Sequence, residues 1–192
     1  MLRPAFPLTT QRLLLRPFGD GDLDALYGMQ SRPDVVRYLD WGPMSRQAVK
    51  ALLERIEPMT AIDDRSDGLR LAAVLPGSGE LIGDFSLWCE RGNRVQAEIG
   101  FVLHPDFHGH GYAVEASGAL VRLGFEELRL HRMIGRCDAR NTASAHLMER
   151  LGMRQEAHFR EAEFIKGEWC DELEYAILAA EWRDRHPPNA AA

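Results

Sequence analysis

The sequence predicts an α/β fold of mixed character, a mostly antiparallel sheet covered by helices. Three observations carry that expectation. Between residues 69 and 103, the apolar runs LRLAAVL, ELIGDFSLWC and VQAEIGFVL are separated by PGSG and ERGNR, the punctuation of an antiparallel meander. From residue 113 to about 128, apolar residues recur at helical spacing on two stripes: Ala113, Ala116, Leu120 and Leu123, then Val114, Val121, Phe125 and Leu128. A helix apolar on two stripes is largely buried. Lastly, HFREAEFIKGEWCDELEYAIL reads as a hairpin turning at Lys166 and Gly167. Its second arm alternates, with Leu173, Tyr175 and Ile177 on one side and Glu172 and Glu174 on the other.

The remaining elements follow in chain order. Leu13, Leu14 and Leu15 in TTQRLLLRPF form a short first strand. GDGDLDALYGMQ is a helix capped by Asp20 or Asp22, with Leu23, Leu26 and Tyr27 inward. Ser45 opens a second helix, RQAVKALLERI, with Ala48, Leu52 and Ile56 on its inner side, and the polar AIDDRSDG is a loop. After the long helix, HRMIGRCD is a strand. NTASAHLMERLG is a helix with Asn141 or Thr142 as N-cap and Gly152 as its stop.

The chain has 192 residues, enough for one domain with a substantial core, expected over residues 1–182; RDRHPPNAAA, residues 183–192, reads as a flexible tail. A net charge of -6 without a Lys/Arg stripe argues against general binding of nucleic acid or anionic membrane. The three cysteines, Cys89, Cys137 and Cys170, show no CxxC spacing, so neither a disulfide framework nor a zinc site is expected. MLRPAFPLTTQR lacks an apolar signal core and no run reaches the length of a membrane span, which points to a cytoplasmic protein with reduced thiols.

The most informative stretch is HPDFHGHGYAVEA, residues 104–116. Glycines 109 and 111 stand immediately before the long helix, whose first turn offers free backbone N–H groups and the positive end of its dipole. Glycine lets a backbone approach a ligand closely or take positive φ. The junction therefore suits a phosphate or pyrophosphate, or else it is a glycine turn that caps a helix. Neither GxGxxG nor GxxxxGK[ST] occurs. His104, His108 and His110 with Asp106 lack an obvious set of supporting partners, so no metal is assigned.

The strand ending at Leu103, the HGHGYA turn and the buried helix resemble the acetyl-CoA-binding motif of the GNAT acetyltransferases, [Q/R]xxGx[G/A]. The pattern falls on His108, Gly109, His110, Gly111, Tyr112 and Ala113, with His108 standing where the family has Gln or Arg. LTTQRLLLRPF resembles the N-terminal strand of the RimJ/RimL-type branch, which acetylates protein N-termini. AEIGFVLHPDFHGHGYAVEA, RCDARNTASAHLMERLGM and IKGEWCDELEYAIL match further blocks in the same order.

The resemblance implies a single GNAT domain whose twisted sheet splays at the cofactor site. It also implies acetyl-CoA as co-substrate, no metal, and transfer of acetyl to a primary amine by direct attack. Phe101, Val102 and Leu103 would hold the pantetheine arm and the acetyl carbonyl through their backbones, and residues 108–113 would take the pyrophosphate. Asn141 resembles the family's cofactor-contacting asparagine, or is a plain helix cap. Many members carry a tyrosine seven residues later as proton donor to the thiolate; here that position is Met148. Ser144 matches the RimJ/RimL variant, with a serine near the sulfur, or is a first-turn helix serine. Glu98 is the candidate general base, acting through a bound water in the family pattern, or else the partner of an arginine; Asp84 is a weaker base and Glu115 reads as structural. The acceptor is expected to enter near residues 38–45 and 164–169, which carry Trp41 and Trp169. It is a peptide N-terminus first, a small amine such as a polyamine, amino acid or aminoglycoside second. A catalytically silent acetyl-CoA-binding module is the rival from another class. Such folds also pair through sheet or hairpin edges, so a homodimer is compatible with the reading.

Overall fold

The computed structural model describes residues 3–63, 66–90 and 93–186. Its strands are β1 (Leu8–Thr9), β2 (Leu14–Pro17), β3 (Gly68–Val74), β4 (Leu81–Glu90), β5 (Asn93–Leu103), β6 (Arg132–Asp138), β7 (Arg154–Ile165) and β8 (Glu168–Leu178). The helices are α1 (Leu23–Gln30), α2 (Arg46–Ile56), α3 (Tyr112–Glu126), α4 (Thr142–Arg150) and α5 (Ala179–Arg185). All eight strands lie in one sheet of order β1-β2-β3-β4-β5-β6-β8-β7. Neighbours are antiparallel except β5 and β6.

Helices cover both faces because the alternating strands are apolar on both. On one face, Leu69, Leu71, Leu87, Ala97, Ile99, Met133, Tyr175 and Ile177 pack with Ala116, Leu120 and Leu123 of α3 and Met148 of α4. On the other, Ala72, Val74 and Leu81 pack beneath Leu26 and Met29 of α1 and Val49, Leu52 and Ile56 of α2. The second set covers only the β2–β4 side. Beyond it the same face, from β4 to β8, carries polar residues.

The parallel pair is the exception that shapes the molecule. β5 and β6 are in register only where Gln96, Ala97 and Glu98 face Arg132, Met133 and Ile134. Past that point the strands diverge, and residues 99–103 and 135–138 form the two sides of a wedge. The expected mixed, mostly antiparallel sheet, splayed and flanked by helices, is the observed architecture.

Several local expectations change. A short strand, β1, precedes the anticipated first one, because Thr10 hydrogen-bonds Leu13 through both backbone and side chain and closes a hairpin. Asp20 and Asp22 do not cap α1 with their side chains; they form a 3₁₀ turn in which the buried Asp22 carboxylate takes the Arg16 guanidinium. Ser45 does cap α2, accepting from Ala48 N at 3.2 Å, but Ala48 is exposed and Val49 is the buried residue. The predicted tail begins too early: Arg183 and Arg185 lie in α5, which Trp182 anchors in the core, and residues 187–192 lie outside the described residues.

Candidate active site

The junction before α3 has the local conformation its glycines permit. Gly109 and Gly111 have φ of 78° and 80°, the left-handed region that favours glycine, and Gly111 is the N-cap of α3. The Glu115 N–H bonds Gly111 O at 3.1 Å, so the N–H groups of Tyr112, Ala113 and Val114 precede the helical ladder. His108 is exposed, but its ring is tied to the preceding strand. Its Nε2 lies 3.0 Å from the carbonyl oxygen of Leu103, tying the loop to the end of β5. His104 Nδ1 accepts from the Asp106 N–H at 3.3 Å, a local turn contact. His104 and His108 are thus engaged in separate backbone contacts, and the His110 ring lies 5.9 Å from that of Tyr112.

The open end of the wedge leads to this loop. On β5, Phe101, Val102 and Leu103 pair with β4 and leave their other backbone edge without a β6 partner. Only three residues separate the end of β6 from the start of α4, so the N-terminus of α4 stands at the mouth of the wedge. Asn141 caps it, its Oδ1 accepting from Ser144 N at 3.2 Å. That settles the capping role, and the amide NH₂ is not used in it. Ser144 and Met148 are four residues apart and share one helix face. Met148 is fully buried. Its Sδ would lie 2.6 Å from a Cβ placed on Gly135, with Ile99 Cγ1 3.4 Å from the same point. Met148 therefore fills the apex of the wedge, while Ser144 is one turn nearer its mouth. A tyrosine at position 148 has no room without displacing β6.

On the polar face of the sheet, Glu98 Oε2 accepts from Arg136 Nη1 at 3.0 Å. Arg136 also bonds Glu174 Oε2 through Nε at 2.9 Å and lies 3.7 Å from Glu172. Glu98 is thus paired with an arginine, as its plainer reading anticipated. Three carboxylates nevertheless surround one guanidinium. Burial pushes the Glu98 carboxyl above its usual range, with Arg136 opposing and Glu174 adding to the rise. Glu172 is raised in the same way, again chiefly by burial. Asp84 is a poorer base than its position suggests: it is almost fully buried and forked to Arg70, 2.8 Å from Nε. Between Arg70 and Gly100, Ser86 points its Oγ at the space above Gly100, where a Cβ would come within 2.6 Å. Nothing in the sequence singles out Ser86, because a serine in an apolar strand is common.

The entrance is framed by parts distant in sequence. Lys166, at the tip of the β7–β8 hairpin, donates from Nζ to Val36 O at 2.6 Å and Arg37 O at 3.3 Å, tying the hairpin to the segment between α1 and α2. Arg140 lies 6.0 Å over the Tyr38 ring and bonds Asp138 and Glu168. Trp41 donates Nε1–H to Gln30 at 2.9 Å and so is held inward, whereas Trp169 is exposed beside Phe164. The two stretches expected at the acceptor side are joined to each other, and Glu172 and Glu174 belong to the Arg136 network rather than to a plain solvated face. Cys137, on β6, is half-buried; burial pushes its thiol up to about 11, which keeps it protonated near neutral pH.

Residues 12–154 match the family model for the acetyltransferase (GNAT) domain. An uncharacterised N-acetyltransferase of Bacillus subtilis, YnaD, is 33% identical over 175 residues, 91% of this chain and 98% of that protein. The spermidine N(1)-acetyltransferase of Escherichia coli is 24% identical over 172 residues, 90% of this chain and 89% of its own. A GNAT-family acetyltransferase of Bacillus anthracis has a crystal structure that superposes with a TM-score of 0.80 at 31% identity, covering 90% of this chain and 98% of that one.

Proposed function

Because the chain belongs to the GNAT acetyltransferase family and is an acetyl-CoA-dependent N-acetyltransferase, we propose that its acceptor is a cationic primary amine, first the α-amine of a protein or peptide N-terminus, as in the RimJ/RimL-type branch. The observation that carries this reading is the polar face beside the wedge, where three carboxylates, Glu98, Glu172 and Glu174, face two guanidiniums, Arg136 and, 3.3 Å from Glu174, Arg132. Excess carboxylate attracts an ammonium group and then accepts its proton. The Lys166 tie supports a slender acceptor, because it encloses one side of the approach. The same acid excess also favours a second reading, a polyamine, in line with the similarity to the spermidine enzyme.

In this reading the thioester lies in the wedge, its pantetheine arm along the edge of Phe101, Val102 and Leu103 that β6 leaves unpaired, up to the Leu103 carbonyl held by His108, with Asn141 at the mouth of the wedge. Its pyrophosphate sits on the loop of Gly109, His110, Gly111, Tyr112 and Ala113. His108 serves that loop from behind. The amine nitrogen attacks the acetyl carbon, the C–N bond forms and the C–S bond breaks. The amine proton goes to Glu98, directly or through one water, and coenzyme A leaves as thiolate. Ser144 hydrogen-bonds the sulfur or relays a proton to it. The raised thiol pKa of Cys137 supports direct transfer over an acyl-enzyme.

Thiol release, measured with matched basic and acidic peptides, spermidine and spermine at two ionic strengths, tests the acceptor. Basic peptides are expected to outperform acidic ones, with the advantage shrinking as salt rises. Polyamine turnover far above every peptide would establish the second reading. Equal rates on acidic and basic peptides would reduce the carboxylates to solvation, and no thiol release with any amine would indicate a silent binding module. Ser144→Ala is expected to lower kcat by roughly 10- to 1000-fold while the Kd for acetyl-CoA moves little. Wild-type turnover in that variant would leave Ser144 a helix residue only.

A further inference from the structure

With His108 Nε2 at Leu103 O, the loop before α3 has no guanidinium of its own at the position where the family motif carries Gln or Arg. Two guanidinium groups approach the same loop from other elements. A Cβ placed on Gly111 would lie 3.5 Å from Arg12 Nη2 and 4.0 Å from Arg150 Nη2. We propose that Arg150 binds the pyrophosphate of coenzyme A directly, and that Arg12 is a positioning residue that orients the loop for it. The proposal rests on the reading of residues 109–113 as the pyrophosphate cradle.

The two arginines differ in what already occupies them. Arg12 is committed to Glu115, in the first turn of α3. Glu115 Oε1 accepts from Thr10 Oγ at 2.6 Å and from the Arg12 N–H at 2.7 Å, and Oε2 accepts from Arg12 Nε at 2.7 Å. Burial works against the charged form of Glu115, but the hydrogen bonds from Thr10 and Arg12 and the charge of Arg12 hold it below the usual carboxylate range. An ionised carboxylate at this end of a helix would repel a phosphate; Arg12 cancels it.

The remaining arm of Arg12 acts on the backbone. Nη1 donates to His110 O at 2.9 Å. In a planar trans peptide the C=O and the following N–H point in opposite directions, so drawing the His110 carbonyl to Arg12 turns the Gly111 N–H the other way. The guanidinium also covers the Tyr112 ring at 4.6 Å, which holds that arm in place.

Arg150 is the last residue of α4 and is exposed. Among the described residues it makes no hydrogen bond or ion pair, although most arginines of this chain do. A cation at a helix C-terminus suits the dipole there, which alone would account for an arginine. It does not account for a guanidinium held within reach of the N-terminus of a second helix. With the Arg12 and Glu115 charges cancelling, Arg150 is the net positive side chain at the loop.

Calorimetric titration with coenzyme A, dephospho-coenzyme A and pantetheine tests both roles. Arg150→Ala is expected to weaken coenzyme A and dephospho-coenzyme A alike by roughly 10- to 100-fold, the range for one charge-assisted hydrogen-bonded contact. Pantetheine should bind as before, and Arg150→Lys should recover part of the loss. Arg12→Lys keeps the charge but loses the fork, and should likewise weaken coenzyme A without touching pantetheine. Wild-type affinity in Arg150→Ala would overturn the assignment, as would a loss confined to coenzyme A, which would place Arg150 on the 3′-phosphate. An Arg12→Lys protein that loses coenzyme A and pantetheine equally, with a lowered Tm, would make Arg12 merely structural. If the unaltered protein bound pantetheine as well as coenzyme A, the cradle reading itself would fail, independently of either arginine.

Discussion

Gly111→Asp is expected to abolish acetyl-CoA binding in a protein that still folds. The position is at the surface, with φ of 80°. Aspartate enters the left-handed region more readily than most residues, at a cost of about 1–2 kcal/mol. No backbone atom lies in the space a Cβ would fill; the nearest groups are the Arg12 and Arg150 guanidiniums. The new carboxylate would pair with those cations and stand where a phosphate oxygen must come, at the positive end of α3. It removes an attraction, adds a repulsion and fills the site. An affinity loss on the order of 100-fold or more, at least about 2.7 kcal/mol, follows. Calorimetry with acetyl-CoA beside a thermal melt reads both halves of the expectation. A folded variant with unchanged affinity would remove the basis for placing the cofactor on this loop.

Glu98→Gln should have the other large effect, a fall in kcat/KM of roughly 100- to 10,000-fold, the range for loss of a general base. Arg136 retains Glu174 and Glu172, so the sheet should stay intact, and a half-exposed pair of this kind contributes only about 0–1 kcal/mol to stability. The pH profile adds a sharper test. Burial raises the Glu98 carboxyl above the ordinary carboxylate range, and the base works only when ionised. Activity should therefore fall with acidification through a pKa higher than that of a free glutamate. In Glu98→Gln that acid limb should vanish, leaving only the ionisation of the amine. Arg136→Ala takes away the charge that opposes the rise, so its acid limb should move to higher pH. A Glu98→Gln enzyme with near-normal rate and the wild-type acid limb would leave Glu98 as no more than a partner of Arg136.

Local chemistry was the legible part of this chain. The meander, the doubly apolar α3, the Ser45 and Asn141 caps and the Lys166 and Gly167 turn all follow from side-chain periodicity, cap chemistry and positive φ at glycine. α5 was not, because only the packing of Trp182 against Phe125 distinguishes it from a frayed end. Ala48 shows a related limit. On a single helical turn, Ala48 and Val49 both suit a core-facing stripe, and the packing of α2 over Ala72, Val74 and Leu81 selects the larger one.

The sequence by itself determined the family, the position of the glycine junction and the residues nearest to it, since each depends on neighbours within a few positions. Only the tertiary structure decided how those residues are used. Glu98 and Arg136 are 38 positions apart, Lys166 and Val36 130 apart, and Arg12 and Glu115 103 apart. No periodicity links such pairs. They meet because the β1–β2 turn lies beside the start of α3, because β6 inserts between β5 and β8, and because the hairpin is long enough to reach the α1–α2 segment. The same physics tied His108 to the Leu103 carbonyl and left Arg150 free: a side chain goes to the partner that the packed sheet brings within hydrogen-bond distance, and the sheet order is a property of the whole chain.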